Sequence, residues 1–158
     1  MNRRTIGSWL FIPTVALLLA AATACGSGEP AAGTATEAPS AIAGQSVETE
    51  DGFYVNVTPA ELGAMLDAKD FPLVNVHIPY PGEIEGTDLF ISYDRIQERI
   101  DELPGARDSK IVLYCRSGGM SAVAAEALVD LGYTNVWNLD GGMIAWEEAG
   151  YPLLKAQE

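Results

Sequence analysis

The chain has 158 residues, 48% hydrophobic and 20% charged, with a formal net charge of −13. This length predicts one domain with appendages, and the mixture is that of an ordinary globular protein. A surface this acidic repels phosphate backbones, which excludes nucleic acid as an expected partner.

The first residues read as targeting rather than fold. Asn2, Arg3 and Arg4 make a basic start, and an apolar run from Trp9 to Ala22, broken by Pro13, follows. Ala22-Thr23-Ala24 then stands directly before Cys25. A basic start, a short apolar stretch and a small-residue end describe a secretory signal peptide over residues 1–24. The run is short for a membrane span, which takes about 20 residues. Cys25 at the cleavage point resembles the lipid-bearing cysteine of bacterial lipoproteins, although Ala22 stands where those proteins prefer leucine. The resemblance implies lipidation of Cys25 and attachment to the outer face of the cell membrane. A simple N-terminal anchor helix is the alternative. Residues 26–45 are mainly Gly, Ala, Ser, Thr and Pro without apolar periodicity, which predicts a flexible tether. The expected organisation is a signal peptide (1–24), a lipidated cysteine with tether (25–46) and a folded domain (47–158).

Within the domain, Phe53-Tyr54-Val55-Asn56-Val57 alternates as a short strand. Thr58-Pro59-Ala60-Glu61 is a capping box with proline at the first helical position, and predicts a helix to about Ala68. Residues 73–78 read as a strand, 79–86 as a loop rich in Pro and Gly, and 89–91 as a short strand. Ile96 and Ile100 at helical spacing, closed by Pro104-Gly105, predict a helix over 94–103. Residues 110–114 form a nearly continuous apolar run, the pattern of a strand at the centre of a sheet. A loop, Cys115 to Met120, leads into an alanine-rich helix over 121–131 that Gly132 stops. Residues 136–139 read as a strand, Asp140-Gly141-Gly142 as a turn and 143–149 as a short helix capped by Gly150. Strands alternating with helices predict an α/β fold, with a parallel sheet flanked by helices.

The chemistry sits in Cys115-Arg116-Ser117-Gly118-Gly119-Met120-Ser121. This loop leaves the C-terminal end of a parallel strand and enters a helix, the place where open α/β sheets hold ligands. Adjacent glycines let backbone N–H groups turn inward around an anion, and the helix N-terminus adds positive potential. Such a cradle favours the nucleophilic thiolate and can hold an anionic group bonded to that sulfur, with Arg116 and Ser117 as further donors. The residues alone leave a second reading open: a core cysteine that ends a strand. If Cys25 carries a lipid, Cys115 has no intramolecular disulfide partner, because the chain has only these two cysteines.

The loop is similar to the active-site loop of rhodanese-like proteins: cysteine, a basic residue, Ser or Thr, glycine, any residue, arginine, serine. Gly82-Glu83-Ile84-Glu85-Gly86-Thr87 resembles that family's upstream Gly-His-Ile-Pro-Gly-Ala signature. Leu73-Val74-Asn75-Val76-His77 stands where the family has a strand ending in Asp-Val-Arg. Leu139-Asp140-Gly141-Gly142 with Trp146 resembles its closing Gly-Gly and tryptophan. The correspondence runs from about Val57 to Leu153.

The resemblance implies a sulfurtransferase. Cys115 would take a sulfane sulfur from a small donor such as thiosulfate as a persulfide and pass it to a thiol or cyanide, with no cofactor. It implies that the backbone N–H groups of residues 116–121 cradle the persulfide, which makes Arg116, Ser117, Gly118, Gly119, Met120 and Ser121 the substrate-binding positions. Met120 replaces the second loop arginine, Asn75 and His77 replace an Asp and an Arg, and Glu83 replaces a His. These changes make the site less cationic and favour a neutral or monoanionic donor over thiosulfate. His77 is a further candidate for the site, with a structural strand-end histidine as the alternative, and Trp137 and Trp146 are expected in the core. The rival function is a non-catalytic or persulfide-carrier binding module. A related group of cysteine-dependent phosphatases needs an arginine where this chain has Ser121, which argues against phosphoryl transfer. One His and one free Cys make no metal-ligand set.

Overall fold

The computed structural model of the protein describes residues 42–154. The expected signal peptide, Cys25 and all but the last residues of the expected tether lie outside this range. Among the described residues, no helix is long and apolar enough to cross a membrane.

The elements run β1 (Gln45–Glu48), β2 (Phe53–Val57), α1 (Pro59–Leu66), β3 (Leu73–Asn75), β4 (Glu83–Ile84), β5 (Leu89–Phe90), β6 (Ile111–Tyr114), α2 (Gly119–Asp130), β7 (Val136–Leu139), α3 (Gly142–Glu148) and β8 (Leu153–Leu154). The main sheet has the order β1-β2-β7-β6-β3-β5. Strands β2, β7, β6, β3 and β5 are parallel, and β1 is an antiparallel edge strand on β2. Strands β4 and β8 pair separately. This is the expected α/β architecture, and its five parallel strands end together on one edge of the sheet.

Alternation along β6 sorts the two faces. Ile111, Leu113 and Cys115 fall in the core layer that holds Ala124, Ala125 and Leu128 of α2. Val112 and Tyr114 fall in the opposite layer, with Leu62 and Met65 of α1 and Met143 and Trp146 of α3. A strand buried on both faces must be apolar throughout, which explains the unbroken run in the sequence. Trp146 lies in the core as expected, whereas Trp137 is only partly buried.

Helix α1 starts at its capping box. Thr58 Oγ1 accepts from the Glu61 N–H, and a Glu61 carboxylate oxygen accepts from the Thr58 N–H at 2.8 Å. Caps of this kind are worth about 1 kcal/mol. The other Glu61 oxygen accepts from the Gly44 N–H at 3.1 Å. Gln45 pairs with Asn56, so the sheet begins two residues before Val47.

Two expectations are corrected. The segment 94–103 is not a continuous helix. It forms 3-10 turns at Tyr93–Arg95 and Ile100–Glu102, with the Arg95 N–H on the Ser92 carbonyl at 2.8 Å and the Leu103 N–H on the Ile100 carbonyl at 3.1 Å. Ile96 and Leu103 are buried and Ile100 only partly, a stripe too thin to hold a ten-residue helix against the sheet. The strand expected over 73–78 stops at Asn75. There the Asn75 side chain takes over the hydrogen bonding: Oδ1 accepts from the His77 N–H at 3.0 Å and Nδ2 donates to the Gly82 carbonyl at 3.0 Å. Buried amides compete with the ladder in this way.

Candidate active site

Cys115 follows β6 at the C-terminal edge of the sheet and is 1% exposed. By strand alternation its side chain points toward the start of α2. Gly118, the residue before α2, has φ +88°, and a β-carbon on it would stand 3.1 Å from the Gly141 nitrogen. That turn lets the Gly118 N–H donate to Cys115 Sγ at 3.1 Å. The first intrahelical bond of α2 is from the Ala122 N–H to the Gly118 carbonyl at 2.9 Å. The N–H groups of Gly119, Met120 and Ser121 therefore have no acceptor within the helix. They form the open end of the cradle.

Ser121 is buried beside the sulfur. Its Oγ lies 3.4 Å from Cys115 Sγ and 3.0 Å from the Gly118 carbonyl oxygen. The hydroxyl has one proton and can donate to only one of them at a time. The shorter bond to the carbonyl is the better one at rest, and a negative sulfur would draw the proton to itself.

The opposite side of the loop is held by α3. The Met143 N–H donates to the Cys115 carbonyl at 2.9 Å and the Ile144 N–H to the Arg116 carbonyl at 3.0 Å. These two bonds use the free N–H groups at the start of α3 to fix the loop backbone. The Gly141-Gly142 pair after β7 is the sequence feature that permits this contact, since a β-carbon on Gly142 would meet the Cys115 carbonyl oxygen. The Arg116 and Ser117 side chains are exposed, while Met120 is partly buried against the α2-side core.

His77 lies two residues past the end of β3, the neighbour of β6 in the sheet. Its backbone is fixed by Asn75, while its Nδ1 is buried without a hydrogen-bond partner among the described residues. Burial, and secondarily the charge of Arg116, hold its titration below the ordinary 6.5. At neutral pH the ring is therefore uncharged. The Gly82–Thr87 motif is fastened to the sheet from below. Tyr114 Oη accepts from the Ile84 N–H at 3.1 Å and lies 2.7 Å from Thr87 Oγ1. Thr87 Oγ1 donates to the Ile84 carbonyl, so the tyrosine must donate to the threonine. Burial pushes the Tyr114 hydroxyl up to about 12. Tyr114 thus serves as a fixed strut.

The seven loop positions expected at the site and His77 meet at one sheet edge. Glu83 is partly buried in β4, and Glu85 lines a separate cavity of about 380 Å³ beside Trp146 and Tyr151. A smaller cavity of about 300 Å³ adjoins the loop at Arg116, with Met143, Ile144 and Glu147 of α3 on its wall. Glu147 has no local sequence signal, because its place beside the loop depends on how α3 docks.

The family model described as the rhodanese-like domain matches residues 58–149. A protein of Allochromatium vinosum named as a sulfurtransferase is 36% identical over 110 residues, covering 68% of this chain and 82% of that one. Other relatives are longer: the chain spans 58% of a Synechocystis protein and 25% of a Mycobacterium tuberculosis adenylyltransferase/sulfurtransferase. Among solved structures, the chain is similar to the thiosulfate sulfurtransferase of Pseudomonas aeruginosa, with TM-score 0.56 and 30% identity over 63% of this chain and 20% of that one. Since the family match takes in both the cysteine loop and the α3 residues that brace it, the chain belongs to the rhodanese-like domain family.

Proposed function

We propose that this protein is an extracytoplasmic sulfurtransferase that carries sulfane sulfur as a persulfide on Cys115. The observation that supports this most is the Gly118 N–H aimed at Cys115 Sγ at 3.1 Å, at the start of α2, where the N–H groups of Gly119, Met120 and Ser121 have no acceptor within the helix. A sulfur atom added to Sγ extends the negative charge by one bond, toward those donors. With thiosulfate, the Cys115 thiolate attacks the outer sulfur, the S–S bond breaks and sulfite leaves with the bonding pair. An acceptor thiolate or cyanide then attacks the outer sulfur of the persulfide and restores the Cys115 thiolate.

The location rests on the sequence. The basic start, the apolar run and Cys25 support export and attachment to the outer membrane face through a lipid on Cys25. Metabolic labelling with a fatty acid tests this: label on the wild type and none on Cys25→Ser supports it.

Mass measurement tests the chemistry. After incubation with thiosulfate or a small persulfide, the wild type is expected to gain one sulfur that reductant removes, and Cys115→Ser to gain none. A wild type without the added mass refutes the proposal. The partly buried Met120, which puts no cation at the loop's arginine position, favours a second reading as a persulfide carrier. A carrier would load Cys115 once and turn over slowly with every small acceptor.

A further inference from the structure

The cavity of about 380 Å³ beside Trp146 is separate from the cysteine loop. Trp146 belongs to the core layer of Tyr114 and α1, on the face of the sheet opposite the layer that holds Cys115. Its walls include Leu66 and Asp67 at the end of α1, Glu85 after β4, and Trp146, Tyr151 and Pro152 at and after the end of α3. Hydrogen bonds and packing hold these walls in place. Trp146 Nε1 donates to the Pro152 carbonyl at 3.0 Å, and the Tyr151 N–H to the Trp146 carbonyl at 3.1 Å. The Tyr151 ring stacks on Trp146 with 4.3 Å between centroids. Gly63 leaves room for that ring, since a β-carbon there would stand 3.0 Å from Tyr151 Oη. Strand β4 pairs with β8, which ties the Glu85 side of the cavity to the Pro152 side. The cavity is thus preformed, and its volume is in the range of small-molecule sites.

Its charge is one-sided. The ion pairs among the described residues are Lys69–Asp88, Arg95–Glu98, Arg99–Glu102 and Lys110–Asp70. Neither Asp67 nor Glu85 belongs to them. Lys69 also lines the cavity, but its Nζ donates to Asp88 Oδ2 at 2.6 Å and its charge is met there. Helix α1 adds to the imbalance. Asp67 caps its C-terminal end, where free carbonyls carry the negative end of the helix dipole, and no basic residue stands in its last turn. Beside these acids, Leu66, Trp146, Tyr151 and Pro152 supply a mainly apolar wall.

We propose that this cavity binds a small organic amine in its ammonium form. The ammonium sits on the acidic side, with Asp67 and Glu85, and an aryl or alkyl body lies on Leu66 and the Trp146–Tyr151 stack. A neutral ligand leaves both carboxylates and the helix end without a counter-charge, and an anion is repelled by them. A bare inorganic cation leaves the apolar wall in water. An ammonium on an apolar body satisfies both halves of the lining. This site is independent of the sulfurtransferase reading, because no atom of Cys115 takes part in it.

The test titrates the full chain with three probes that share one body and differ in charge: phenethylammonium, phenethyl alcohol and 3-phenylpropionate. The readout is the Trp146 indole N–H resonance in NMR spectra, because its acceptor, the Pro152 carbonyl, belongs to a residue of the cavity wall. The Trp137 indole N–H, which donates to Asn135 Oδ1 at 2.6 Å, is the internal control for an intact fold. Phenethylammonium is expected to move the Trp146 resonance to saturation and to leave Trp137 in place. It should half-saturate at a concentration about fivefold or more below that of phenethyl alcohol, since exposed charge contacts contribute up to about fivefold each. The carboxylate probe should bind most weakly. Asp67→Asn with Glu85→Gln should abolish the preference for the amine over the alcohol, while both still move Trp146. Asp67→Lys with Glu85→Lys should turn the preference toward 3-phenylpropionate. Asp67 and Glu85 are exposed, so these variants are expected to fold. A Trp146 resonance that no probe moves, or that all three move at the same concentration, would overturn the proposal. So would an amine preference that survives neutralisation of both acids.

Discussion

Gly142 approaches Cys115 so closely that a β-carbon on Gly142 would stand 2.3 Å from the Cys115 carbonyl oxygen. Gly142 also has φ +59°, where a side chain is strained. The same approach brings the Met143 and Ile144 N–H groups onto the loop carbonyls. The closing glycine pair is therefore part of the cysteine loop's support.

Gly142→Ala is expected to destabilise the protein by more than about 2 kcal/mol, from the left-handed backbone and the displaced loop together. Sulfur loading of Cys115 should fall as well. Gly119→Ala is the contrast: a β-carbon there meets nothing within 4 Å, and Gly119 has no positive φ. Its denaturant midpoint should stay within about 0.5 kcal/mol of wild type. Equal stability of the two variants would show that the contact at Gly142 is not tight in solution.

The start of the domain gives a second prediction. Residues 26–45 read as a tether, but Gln45 pairs with Asn56 and the Gly44 N–H bonds the Glu61 carboxylate. A chain beginning at Ala43 should unfold several degrees above one beginning at Val47, because the shorter chain loses two paired residues and one charge-assisted bond, about 1 kcal/mol or more in sum. Equal midpoints would return the boundary to Val47.

Stability should fall with pH in two stages. His77 titrates below its ordinary 6.5 in the fold because of burial and then Arg116. Between its unfolded and folded values the unfolded chain binds more protons, so stability drops as pH falls from about 6.5. Glu61 is held below its ordinary 4.5, first by the Thr58 N–H, with burial opposing. Its contribution is present above 4.5 and is lost as pH falls through the lower folded value. His77→Gln should flatten the first stage alone and Glu61→Gln the second alone in urea midpoints measured against pH. An unchanged profile for His77→Gln would mean that its ring is not buried in solution.

The sequence was most legible where one pattern had one cause. The apolar run of β6, the capping box of α1 and the glycine loop before α2 each follow from local rules, and they place Cys115 without further information. Strands β4 and β8 have two residues each, too few to show a period, and β1 is a mostly polar edge strand that resembles tether. The missing helix over 94–103 shows the converse: a helical spacing was present, but too little of the segment packs on the core. Glu147 could not be found from sequence, because nothing local distinguishes it from its exposed neighbour Glu148 on α3.

Met120 decides the last prediction. In related loops its position carries an arginine, and here the side chain is partly buried against the α2-side core. Met120→Arg gives up that packing, but a long side chain can keep its stem on the core while its guanidinium reaches solvent. The loss of stability should stay near 1–2 kcal/mol, and the fold should survive. At the loop mouth the new group offers several fixed donors to an anion, and charge-assisted bonds of this kind contribute about 1.5–3 kcal/mol. Because about 1.4 kcal/mol is tenfold in binding, kcat/KM for thiosulfate should rise roughly tenfold or more. A neutral or zwitterionic donor has less charge to gain from it, so its kcat/KM should change less. Reading the ratio between donors removes any effect of a changed folded fraction, which scales both rates together. If wild type already turns over thiosulfate briskly and Met120→Arg adds nothing, the backbone cradle and Arg116 suffice for a dianion. The methionine would then be a packing residue with no part in donor choice.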